Sequence, residues 1–174
     1  MVAMKNIVLF ISAVSAIAIP KRTLTTILAD LNTIETDLES LTDGLNTYTG
    51  GLLQSATVEA KEIALNDAIV DAGTDTIFTP VLSTDDSKAV YTAAGNMVPL
   101  IQESLNAVVA KEATFAAAGL TSTVRGNIGD LQKSTDALYQ QISKIVSPDL
   151  QQSIIALGVN LDSSFNVTLA ALTS

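Results

Sequence analysis

From residue 24 onward, apolar positions recur at helical spacing. Leu24, Leu28, Leu31, Ile34, Leu38, Leu41, Leu45 and Tyr48 follow one another at steps of three or four, with Thr, Asp, Glu and Asn between them. This is one stripe of a long amphipathic helix, closed by Gly50-Gly51. A second helix is expected from Ser55 to Ala72, with Ala56, Ala60, Ile63 and Val70 facing inward and Gly73 at its end. Ser83 followed by Asp86 resembles a capping box with Asp in place of Glu or Gln. The helix it opens carries Val90, Ala94 and Met97 and then meets Pro99, which removes a hydrogen bond and predicts a kink or restart near residues 96–98. Leu100 to Ala118 resumes with Ile101, Leu105, Val108 and Phe115 on one face, and Gly119 is its C-cap candidate. A fourth stripe runs through Val124, Ile128, Leu131, Thr135, Leu138, Ile142 and Ile145. Ser147-Pro148-Asp149 reads as a helix start, with an N-cap, a Pro in the first turn and an acid at the positive end of the dipole. The helix it starts places Leu150, Ile154, Leu157, Leu161, Phe165, Thr168 and Leu172 along one side. No alternating strand or hairpin signal appears. The expected fold is all-α, a single bundle of about five amphipathic helices, one kinked near Pro99.

The residues before this pattern read differently. Lys5 is a short basic region, Ile7–Ile11 with Ala13, Val14 and Ala16–Ile19 form an apolar run, and Ala16-Ile17-Ala18 has the small-x-small form of a cleavage site, so residues 1–18 are expected to be a secretory signal peptide. The run is too short to cross a bilayer. Lys21-Arg22 is a dibasic site that would end a short propeptide at 19–22, leaving the choice between processing after Ala18 and after Arg22. The helical domain is then 23–174, with six basic residues against 18 acids and a net charge of −12. No further apolar stretch of membrane length is expected, and secretion, outside the cell or into its wall, is the expected destination. Asn166-Val167-Thr168 is a glycosylation sequon of weak specificity.

Composition narrows the chemistry. The full chain has 9 Lys plus Arg, 18 Asp plus Glu, no His, no Cys and no Trp. Without His and Cys there is no thiol nucleophile, no disulfide, no His-containing triad and no His/Cys metal centre. A net charge of −9 and a pI near 4.2 argue against nucleic acid, whose phosphates need basic side chains. Acids pair at Glu35/Glu39, at Asp67, Asp71 and Asp75, and at Asp85-Asp86. All but the last lie at plain helical spacing, without a calcium-loop motif, and Asp85-Asp86 suit a helix N-terminus. Catalytic residues, metal and cofactor are therefore expected to be none.

Two features point to an interior ligand. Aromatics are only 4% of the chain, so small aliphatic side chains facing one another leave room inside. Thr135 then stands as a hydroxyl in an otherwise aliphatic stripe. Such a hydroxyl either bonds back to the carbonyl one turn earlier or anchors a ligand in an apolar cavity. Thr168, Ser104 and Tyr48 are weaker candidates of the same kind. Gly95, Gly126, Gly129 and Gly158 sit inside expected helices, where each costs about 1 kcal/mol against Ala. They read as close helix packing or as a soft, openable bundle.

The landmarks in order are Tyr48-Thr49-Gly50-Gly51, Val98 to Leu105, Lys111, Phe115 to Leu120, Ser134 to Leu138 and Pro148-Asp149-Leu150. In this order and spacing the chain resembles the fungal hydrophobic surface binding protein A family, with its cell-wall galactomannoproteins, from Leu24 to about Leu172. The resemblance implies a secreted or wall-associated, non-enzymatic helical protein that binds hydrophobic surfaces and recruits secreted esterases. For the mannoproteins it implies a fatty acid in the bundle interior. It supplies no catalytic residue. Its matching apolar positions are Leu31, Leu38, Met97, Ile101, Leu105, Phe115, Leu131 and Leu138, which with Thr135 form the expected lining of a cavity. The chain departs from wall-anchored members in lacking a Ser/Thr-rich stalk and an anchor signal. A second reading is a secreted protein-interaction module that engages a hydrolase or host partner through its acidic surface.

Overall fold

The computed structural model describes residues 23–172; the expected signal peptide and dibasic site lie outside them. The elements are α1 (Leu24–Thr47), α2 (Leu52–Ile77), α3 (Thr84–Ala110), α4 (Glu112–Ala117), α5 (Thr121–Ile145) and α6 (Pro148–Ala171). No strand occurs among the described residues. The five long helices form a closed ring. α1 lies between α2 and α3, α6 between α3 and α5, and α5 returns to α2. The short α4 packs on α5 and α3 at one end.

Local chemistry accounts for most boundaries. The Thr23 hydroxyl accepts from the Thr26 amide at α1, and the Ser83 hydroxyl from the Asp86 amide at 3.2 Å at α3. The two bonds satisfy orphan N–H groups of a first turn. Lys111 Nζ donates to the Asn46 and Tyr48 carbonyls at 3.0 and 2.8 Å, and Arg125 donates to the carbonyls of Leu169 and Leu172. Both cations thus sit at a helix C-terminus, where the dipole favours them. Gly119 has φ 71, and the Leu120 and Gly119 amides donate to the Phe115 and Ala116 carbonyls at 2.9 and 3.0 Å. That is a Schellman close, which needs a residue tolerant of the left-handed region.

Four expectations are corrected. Of the kink or restart expected near residues 96–98, the restart does not occur: α3 runs through Pro99 as one element; Pro99 is exposed, so its ring and the carbonyl it leaves without a donor lie on the solvent side. The expected helix over 100–118 is instead divided at Lys111, which closes α3 and opens α4. Ser147 precedes Pro148 as expected but makes no side-chain cap; its amide donates to Ser87 Oγ at 2.8 Å, tying the start of α6 to α3.

The fourth is the register of α2. Ala56, Ala60, Ile63 and Val70 are exposed, and the buried face is Leu65, Ile69, Ala72 and Thr76, in a helix that runs past Gly73 to Ile77. α2 carries two apolar stripes, and periodicity alone cannot say which one the ring covers. α6, finally, has the length and composition of a bilayer-crossing helix, with a mean hydropathy of 1.3, although no such stretch was expected. It belongs to the ring through Ile154, Leu161, Phe165 and Thr168, and leaves Ile155, Val159 and Val167 outside.

Candidate functional site

Five helices in a ring enclose an axial space that aliphatic side chains do not fill. A cavity of about 80 Å³ lies near the α4 end. Its walls are Leu41 and Leu45 of α1, Val58 of α2, Val108 of α3, Phe115 and Leu120, and Val124, Ile128 and Leu131 of α5. Its polar fringe is Ser55, Glu59, Glu62, Thr123 and Asn127. A second cavity of about 20 Å³ continues toward the middle of the bundle. It shares Leu41, Val108, Ile128 and Leu131 with the first, and adds Leu38, Leu65, Ile69, Ile101, Ser104, Leu105, Thr135 and Phe165. All five long helices therefore face this one axial channel. Both volumes fall well below the ~300 Å³ of a small-molecule pocket, so a long ligand requires the helices to part.

The α4 end is closed by an aromatic plug. Phe115 stacks on Tyr48 with ring centroids 5.0 Å apart, a favourable offset contact. The Tyr48 hydroxyl lies 3.0 Å from Ser55 Oγ on α2. Deeper in, the Thr42 and Ser104 hydroxyls pair at 2.5 Å, and Ser104 Oγ also donates to the Leu38 carbonyl at 3.4 Å. Thr135 is 2% exposed and lines the smaller cavity. Its hydroxyl has no hydrogen-bond partner among the described residues, unlike Thr168, which bonds back to the Ser164 carbonyl at 3.2 Å.

The mouth is acidic. Burial raises the Glu62 carboxyl above its ordinary 4.5, helped by the charges of Asp130, Glu59 and Asp67. Both effects disfavour a buried anion beside like charges. Outside the channel, burial raises the Asp136 carboxyl, with Asp162 adding to it. Burial also pushes the Tyr139 phenol up, and its hydroxyl donates to the Ala94 carbonyl at 2.7 Å. Among the described residues no group of three or more Asp or Glu is placed to hold a metal ion.

Of the nine expected lining residues, Leu38, Ile101, Leu105, Phe115, Leu131 and Thr135 meet at the axial cavities. Leu31 and Met97 are buried elsewhere in the ring, and Leu138 borders a surface groove between α2 and α5. Leu41, Leu45, Val108, Val124 and Ile128 also line the channel. They stand on the same stripes, but spacing does not say how far along the axis a void extends. The polar fringe from α2 had no sequence signal, because that helix carries two apolar stripes and spacing does not say which one the ring covers. Asn166 is exposed in mid-helix, with Nδ2 on Asp162 Oδ2 at 3.1 Å. Gly95, Gly126 and Gly129 have no neighbour that a Cβ would touch, whereas a Cβ on Gly158 would lie 3.2 Å from that of Tyr139. Close packing thus explains only Gly158.

Comparison with known proteins bears on this geometry. Among curated proteins none matches the chain. The solved structure of AfMP4p in complex with palmitic acid is similar at 35% identity and a TM-score of 0.85, covering 87% of this chain and 100% of that one. Ligand-binding domain 1 of the Penicillium marneffei MP1 protein, complexed with arachidonic acids, shares the fold at 15% identity and a TM-score of 0.81, over 87% of this chain and 100% of that one. Domain 2 of the same protein, complexed with multiple arachidonic acids, does so at 17% and 0.82, over 88% and 98%. The family model for hydrophobic surface binding protein A matches residues 24–144. With the channel, the closed ring and this match together, the chain belongs to the hydrophobic surface binding protein A family.

Proposed function

We propose that this protein is a secreted, non-enzymatic lipid binder that holds a long-chain fatty acid along the axis of its helical ring. The observation that carries the reading is the apolar channel shared by all five long helices, whose deeper part carries only the hydroxyls of Ser104 and Thr135 as polar lining. Burying about ten methylenes at ~0.8 kcal/mol each favours binding by roughly 8 kcal/mol, enough for micromolar affinity. Part of that offsets the ordering of a flexible chain. The palmitic acid complex of the 35% identical AfMP4p supports the same class of ligand. The Thr135 hydroxyl is the proposed polar anchor for the carboxyl group. The remaining cavity residues act by shape and apolarity.

Adsorption to hydrophobic surfaces, with recruitment of a secreted esterase to them, extends this reading. It draws on the apolar side chains left outside the ring: Leu52, Leu53, Ile63, Val159 and Val167. The deciding experiment is native mass spectrometry of residues 23–174, as secreted and again after delipidation and exposure to a fatty-acid mixture. Adducts at fatty-acid masses are expected; a clean ligand-free mass in both samples refutes the interior ligand. Ionic strength separates an acidic interaction module from an apolar binder, because only electrostatic recruitment weakens with added salt.

A further inference from the structure

The mouth of the channel lies beside the part of the molecule that the ring covers least. α2 has no buried residue before Leu65, yet Ser55, Val58, Glu59 and Glu62 form one wall of the larger cavity. On the outer side of this stretch Leu52 and Leu53 are 89% and 82% exposed and Ile63 51%, with Ala56 and Ala60 exposed on the same face. The turn leading into it is Gly50-Gly51, with φ 104 and 96, a region that side-chain-bearing residues rarely adopt. Gly51 offers no side-chain cap. The channel is too small for an acyl chain until a wall moves, and this wall has no fully buried side chain before Leu65.

Charge restricts what could cover the patch. The nearby cations are engaged: Lys61 Nζ bonds the Ser40 carbonyl and hydroxyl at 3.0 and 2.5 Å, and Lys111 bonds the end of α1. Glu59 and Glu62 stand at the mouth, on a chain of net charge −9. An anionic lipid surface would be repelled, whereas one without net charge leaves the leucines free to reach the headgroup–acyl boundary, as for other interfacial helices.

We propose that residues 52–63, led by Leu52 and Leu53, dock on the acyl layer of an electrically neutral lipid surface, and that the acyl chain enters the channel there between α2 and the α4–α5 corner, past Val58, Leu120 and Val124. The inference rests on the fatty-acid reading of the channel. It adds the partner surface and the port.

The test compares the mature protein with an L52S/L53S variant and, as a control, V159S/V167S on the outside of α6. All three proteins are read in two assays: flotation with phosphatidylcholine vesicles and the rate of labelled palmitate transfer from them. Palmitate affinity in vesicle-free buffer is measured alongside. L52S/L53S is expected to lose about tenfold or more in flotation and transfer, with vesicle-free affinity unchanged and the α6 control like wild type. Equal transfer by L52S/L53S overturns the proposal, as does an equal loss in the α6 control or a requirement for phosphatidylserine. A concentration-dependent dimer that the leucine substitutions disperse also overturns it, since a second copy then covers the patch. If wild type takes up no palmitate in buffer, the fatty-acid reading falls. Flotation lost only in L52S/L53S would still support the docking surface.

Discussion

Replacing Thr135 by Val tests the channel most directly, because stability and affinity should move in opposite directions. The side chain is 2% exposed on α5 and opens onto the smaller cavity with no hydrogen-bond partner among the described residues. Elsewhere in the chain Thr33, Thr36, Thr57, Thr74 and Thr92 turn their hydroxyls back to the carbonyl one turn earlier. A buried polar group without a partner costs ~1–3 kcal/mol, and Val keeps the shape while removing the hydroxyl. The lower end applies here, since about 20 Å³ is room for one water molecule. T135V should therefore stabilise the ligand-free protein by about 1 kcal/mol, raising Tm by roughly 2–4 °C for a domain of this size.

With palmitate the sign reverses. A hydrogen bond to a charged group contributes ~1.5–3 kcal/mol, so its loss weakens binding about 10- to 100-fold. Hexadecane, which has no carboxyl group, should bind both proteins equally. The assays are thermal unfolding of delipidated residues 23–174 and calorimetric titration with each ligand. Unchanged palmitate affinity would refute the anchoring role and leave Thr135 as a packing residue.

Other substitutions probe the mouth, the walls and the glycines. Because the Glu62 carboxyl is raised above 4.5, the folded protein holds the extra proton between that value and its own, and stability falls as pH rises through this window. E62Q should thus be more stable than wild type at pH 7, with the difference vanishing below about pH 4 in thermal scans across pH. Leu131 is 4% exposed and lines both cavities, so L131A should destabilise the ligand-free protein by ~2–5 kcal/mol. Palmitate should recover part of this in denaturant titrations, by filling the enlarged space. G126A should stabilise by about 1 kcal/mol, since nothing stands near the added Cβ. G158A should instead destabilise, because that Cβ lies 3.2 Å from Cβ of Tyr139, which cannot swing away; Tm values of the pair decide it.

How much of this was legible beforehand depended on whether a feature is local. The helices, their apolar stripes, the Ser83 cap, the Gly119 close and the start at Pro148 follow from spacing, propensity and the chemistry of chain ends, and these need no distant partner. Thr135 was visible for the same reason, as one polar position in an aliphatic stripe. Tertiary structure decided the rest. α2 has two apolar stripes, and only its placement between α1 and α5 selects Leu65 and Ile69 over Ile63 and Val70. The break at Lys111 depends on a side chain that reaches the end of α1 across the fold. Leu31, Met97 and Leu138 repeat with the same period as Leu38, Ile101 and Leu131. Whether such a position meets a void or a neighbour is set by how five helices close on one another, which is not a property of any single stripe.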